Sequence, residues 1–137
     1  MNKTTILISW SLRIIAALIM LQTLYFKFTG APESVFIFST LGLEPWGRIG
    51  IGIGELLAAA LLLIPATAWM GGAGAIGLMS GAVFFHLTKL GIEVMGDGGQ
   101  LFYYALIVLV CSGGVVFIHR KNMFAFMARF LKKSARA

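Results

Sequence analysis

The sequence predicts an all-α integral membrane protein: a four-helix bundle with a short outer-loop helix and an amphipathic C-terminal tail helix. Three observations carry this reading. The 137 residues are 59% hydrophobic and 12% charged, against roughly 45–50% and about 25% in a typical soluble domain. That leaves too few charges for a water-facing skin. Four apolar stretches approach or exceed the about 20 helical residues that cross a hydrocarbon core. The charge is also segregated: 11 Lys and Arg against 5 Asp and Glu give +6, with the bases gathered near the C-terminus. This reads as a membrane-orientation signal rather than a nucleic-acid patch. The length suits one domain.

The first span runs from Ile6 to Phe28. A cleaved leader would be shorter and would end in small residues. This segment carries Arg13 and ends in aromatic residues and Lys27, so it is expected to be retained. The second span covers 46–64, the third 69–87 and the fourth 101–118. Lipid offers no partner to a free backbone group, so each must be helical, and the alternation of a barrel strand is absent. The connection Pro65–Ala68 is short, which makes spans two and three an antiparallel hairpin.

The loop between spans one and two is not plain linker. Ser34–Leu41 is too apolar for solvent, Pro32 can open a helix and Gly42 can close it. It reads as an interfacial or re-entrant helix over the outer mouth of the bundle, or else as an apolar loop packed on lipid. In the tail, 120–137, Met123, Phe124, Phe126, Met127, Phe130 and Leu131 fall on one helical face. Lys121, Arg129, Lys132, Lys133 and Arg136 fall on the other. Such a stripe lies in the membrane plane with its bases toward anionic lipid, or docks a cytoplasmic partner.

Positive charge sets the orientation. The tail has six bases and no acid, and Lys3 sits at the other terminus. Four spans place both termini on one side, which the bases make the cytoplasmic side of a bacterial inner membrane. Glu33, Glu44, Glu93 and Asp97 then fall in the outer loops. Trp10 and Trp69 land near the inner interface, and Tyr25, Trp46, Tyr103 and Tyr104 near the outer one. Glycine is dense in Gly47, Gly50, Gly52 and Gly54, and Gly77 and Gly81 form a small-xxx-small pair read as a helix-packing surface.

Ionisable groups inside spans demand a reason. Glu55 lies nine residues after Trp46, roughly 13 Å below the outer boundary. Arg13 and Lys27 share a face of the first span, and Arg48 shares a face with Glu55. The economical arrangement is an interior column in which Arg13, Lys27 and Arg48 surround Glu55. It is either a buried ion pair that fixes helix register or a binding or proton-handling site. His86, near the outer end of span three with Lys89 one turn on, is either a hydrogen-bonded structural group or a proton donor and head-group contact. His119 reads as interfacial.

Depth counting brings Tyr25, Lys27, Trp46, Glu55, His86 and Lys89 to one outer pocket beneath the Ser34–Leu41 segment. There Lys27 and His86 are candidate donors and Glu55 an acceptor or proton relay. Metal binding is not suggested, because His86 and His119 belong to opposite faces and no cluster has ligand spacing. The single cysteine, Cys111, excludes an intrachain disulfide or dithiol centre. No nucleophile–base arrangement or phosphate-cradling loop points to hydrolysis.

The segments from Arg13 to Ser34, Gly42 to Pro65 and Gly77 to Glu93 resemble the DoxX family of small four-helix membrane proteins. The resemblance rests on Arg13, the Lys27–Gly30 end of span one, Glu55 and His86. It implies a redox-associated membrane subunit that binds quinone or a related amphiphile. Electrons would come from an oxidoreductase partner, since the paired cysteines of redox-active relatives are absent. The alternative is a non-catalytic scaffold or a carrier of small solutes or lipid, in which the polar column is structural. Homo-oligomerisation is compatible with either.

Overall fold

The computed structural model describes residues 1–137. Helix α1, Lys3–Thr29, starts where the Asn2 side chain accepts from the Thr5 amide at 2.8 Å. It ends at Gly30, whose φ of 67° suits a residue without Cβ. The apolar loop is indeed helical: α2 spans Pro32–Thr40, opened by its proline and followed by Gly42 at φ 71°. Helix α3 is Trp46–Leu63. A single turn, Pro65–Thr67, leads into α4, Ala68–Phe85. The third span then runs further than the sequence suggests, because α4 passes into a π-helical turn, His86–Leu90, that stops at Gly91. Helix α5 is Gln100–Ile118 and α6 is Arg120–Ser134. The four long helices are each apolar enough to cross a membrane.

The four spanning helices close into a ring in which α1 and α4 each pack against both α3 and α5. Both termini, α6 and the α3–α4 turn share one end, called here the tail end; α2 and the 91–99 loop share the other. The centre is built mostly from small side chains. Ala16, Ala17, Met20, Ala59, Leu62, Ala75 and Val108 form a dry layer across the middle. Little hydrophobic force acts between helices in lipid, so backbones must approach closely to gain dispersion contacts. Gly71 is the point of closest approach: a Cβ there would sit 2.4 Å from the Leu62 amide nitrogen and 2.7 Å from the Ala58 carbonyl.

The glycine pair read as a packing surface is a correction. A Cβ on Gly77 or Gly81 would meet nothing within 4 Å. Their shared face looks into open space, and the close contact is made nearer the start of α4 by Gly71 and Gly72.

Below the dry layer lies a buried polar group at the tail end. The Ser9 hydroxyl and the His119 ring are hydrogen-bonded at 2.8 Å. This corrects the interfacial placement of His119, which is buried and ties α1 to the α5–α6 junction. Arg13, 2% exposed, stacks 3.7 Å from the Trp10 ring centroid and donates through Nε to the Leu62 carbonyl. That carbonyl belongs to the last turn of α3, whose dipole is negative at its end, so the guanidinium caps α3. Helix α6 buries none of its residues and touches the bundle through Phe126 against Trp69, centroids 5.4 Å apart.

Candidate ligand cavity and its polar groups

Between the dry layer and α2 the bundle opens into a cavity of about 630 Å³. Met20 and Val108 form its floor, and Ser34, Ile37 and Phe38 of α2, with Leu41 just after it, cover it. Gly77 and Gly81 of α4 help to make the space, since their missing side chains leave it unfilled. Gln22, Phe26 and Gly77 line the cavity and are exposed on the bundle's side, and Glu33, Met95 and Gln100 line it and are exposed at the α2 end.

Three of the six pocket residues expected from the sequence line this cavity: Lys27, Glu55 and His86. The other three do not. Tyr25 and Trp46 are each 69% exposed, and Lys89 is exposed as well, so all three point outward from the bundle. Tyr25 follows the buried Leu24 by one residue, a 100° step that carries it to the lipid side.

The interior column also differs from its expected form. Lys27 Nζ and Glu55 Oε2 form an ion pair at 3.0 Å, with Glu55 4% exposed. Thr23, one turn before Lys27 on the same face, accepts from Nζ at 3.2 Å. Its hydroxyl lies 3.5 Å from Glu55 Oε2. Arg13 and Arg48 are not partners of Glu55. Arg13 bonds Leu62, seven residues past Glu55 and therefore about 10 Å further along α3. Arg48 pairs with Glu44, Nη2 to Oε1 at 2.8 Å, and donates through Nη1 to the Lys27 carbonyl. It thereby clamps the end of α1 to the start of α3, with its guanidinium packed against Gly30.

On the opposite wall His86 is 5% exposed and edge-on to Phe102, ring centroids 5.6 Å apart. Its Nδ1 lies 2.8 Å from the Gly91 carbonyl oxygen. A carbonyl only accepts, so Nδ1 carries the proton. The bond fastens the 91–99 loop to the cavity wall.

Asp97 in that loop is a lining residue the sequence reading left in solvent. Its carboxylate accepts from the amides of Val94 at 2.9 Å, Gly99 at 2.8 Å and Leu101 at 3.2 Å, which caps α5. Burial pushes this carboxyl upward, but the three amide donors outweigh it and hold it below the ordinary carboxylate value. Ser34, Gln100 and Tyr104 also line the space. The one signal for Thr23 was its spacing of four from Lys27. The others depend on how α2 and the loop fold back.

The arrangement is an apolar chamber with one ion pair on the α1–α3 wall and one imidazole on the α4 wall. An apolar lining with a few fixed polar groups is the general make-up of small-molecule sites. The profile described as the DoxX-like family matches residues 11–115. No curated protein and no solved structure matches the chain. The family match takes in most of α1, all of α2, α3 and α4, and α5 to within three residues of its end, and the chain belongs to the DoxX-like family.

Proposed function

We propose that this membrane protein binds a bilayer-dissolved amphiphile, a quinone or related molecule, with its head in the cavity between Lys27–Glu55 and His86. It serves as a redox-associated subunit to an oxidoreductase partner. The observation that carries the reading is the cavity itself. Its volume, about 630 Å³, falls within the roughly 300–1,000 Å³ of small-molecule sites. It joins an apolar lining to a few fixed polar groups and opens to the side, where a lipid-soluble molecule arrives. A purified sample should bind a decyl-substituted benzoquinone saturably. Lys27→Ala should weaken that binding by roughly tenfold, the worth of one hydrogen bond to a charged group. Gly81→Leu should fill the space and remove binding while the protein stays folded. Absence of saturable binding in the wild type, or equal binding by all variants, defeats this reading and leaves the scaffold reading ahead.

The tail end faces the cytoplasm in this proposal. Support comes from Arg120, Lys121, Arg129, Lys132, Lys133 and Arg136 without an intervening acid. A reporter that is active only outside the membrane, fused after Ala137, should be silent; strong activity reverses the orientation.

Helix α6 lies along the bilayer surface and takes anionic lipid in the same proposal. Phe124, Phe126, Met127, Phe130 and Leu131 are exposed on one side. Arg129, Lys132, Lys133 and Arg136 surround a shallow surface niche on the other. Each base near an anionic surface contributes about 1 kcal/mol. Changing these four to Gln should cut the anionic lipid retained through purification several-fold, measured by mass spectrometry. Unchanged retention counts against lipid as the partner.

A further inference from the structure

We infer that the cavity prefers a hydroxyl-bearing head group, such as a hydroquinone or another lipid phenol, over the corresponding quinone. The inference rests on the reading of the cavity as an amphiphile site and adds the hydrogen-bonding sense of its ligand. The deciding group is His86. Its Nδ1 proton is committed to the Gly91 carbonyl at 2.8 Å, so in the neutral ring Nε2 is a lone pair. The structure gives Nε2 no protein partner, and the residue lines the cavity. In that neutral form Nε2 accepts and cannot donate. A quinone carbonyl brought to it would set one lone pair against another. A phenolic hydroxyl would donate.

The facing wall repeats the bias. Glu55 uses Oε2 for Lys27, the Thr23 hydroxyl proton going to the Met20 carbonyl at 2.8 Å, and its other oxygen is a second acceptor. Lys27 has two of its three N–H groups directed to Glu55 and Thr23, leaving one to donate. Tyr104 accepts from the Gln100 amide at 2.9 Å and keeps its own hydroxyl proton. These two donors serve a quinone oxygen and a hydroquinone oxygen equally, because each has lone pairs. The difference between the two ligand forms thus falls on His86 and Glu55, where only the reduced form supplies a proton. Leaving a buried acceptor unpaired costs its desolvation without return.

The test compares a decyl-substituted benzoquinone with its hydroquinone on the purified full chain, the latter kept reduced under anaerobic conditions. The hydroquinone should bind at least about tenfold more tightly, the value of one well-formed hydrogen bond against an unpaired buried group. His86→Phe keeps a ring against Phe102 and should abolish the difference between the two forms. Ring ¹⁵N shifts of His86 in the wild type, a measurement that needs no variant to fold, should report a proton on Nδ1 and none on Nε2. Equal affinities, tighter quinone binding, or a proton on Nε2 would overturn the inference while the amphiphile site stands. Failure of both forms to bind overturns the site and the preference together.

Discussion

Glu55→Leu should lower the stability of the purified protein by about 3 kcal/mol, seen as a large drop in melting temperature and folded yield in detergent. Removing one member of a buried pair strands the other, at roughly 3–5 kcal/mol. Lys27 lies near the end of α1, and its partial exposure sets the effect at the lower figure. Glu55→Gln should be milder, because the amide oxygen still accepts from Lys27. Lys27→Leu combined with Glu55→Leu should recover much of the loss, since two apolar groups leave nothing uncompensated. Wild-type melting for both single variants would show that the pair holds nothing together. Recovery in the double variant separates a pair kept for stability from a pair kept for its ligand: the double variant should be stable and should not bind the quinone analogue.

An alanine at Gly71 should be almost as damaging. The added carbon would sit 2.4 Å from the Leu62 nitrogen and 2.7 Å from the Ala58 oxygen, both backbone atoms that cannot rotate away. Helices α3 and α4 would have to part at the turn that joins them, at about 3 kcal/mol, the upper range of overpacking. Arg13 should feel the same change, because its acceptor is the Leu62 carbonyl. Gly77→Ala is the control. It meets nothing within 4 Å and should be neutral or stabilising by up to about 1 kcal/mol, the difference in helix propensity. Similar melting of the two alanine variants would contradict the assigned roles of these glycines.

That contrast shows where the sequence stops being legible. The four spans, α2 and α6 could be read because a bilayer permits little else: length, apolarity and charge placement leave one solution. Heights could be read too, since each helical residue rises by about 1.5 Å. Azimuth could not. Tyr25, Trp46 and Lys89 stand at about the right level and on the wrong side. Gly77 and Gly81 do share a face, but spacing does not say whether that face meets a helix or a void. Backbone acceptors carry no letter in a sequence, so the Leu62 partner of Arg13 and the Gly91 partner of His86 were invisible. Lys27 and Glu55 could be paired from a distance because opposite charges at similar depth have few other choices in lipid. Asp97 was missed because a loop acid reads as solvated until the amides around it are in place.

The dry layer of Ala16, Ala17, Met20, Ala59, Leu62, Ala75 and Val108 has a bearing on vectorial chemistry. Apart from the Cys111 thiol and the Ser112 hydroxyl on α5 it is hydrocarbon, with no continuous chain of polar side chains, and it separates Glu55 and His86 from the Ser9–His119 pair at the tail end. The polar groups of the chamber are therefore reached through the chamber's own openings and not through the layer. A bundle closed in this way holds a membrane potential rather than short-circuiting it.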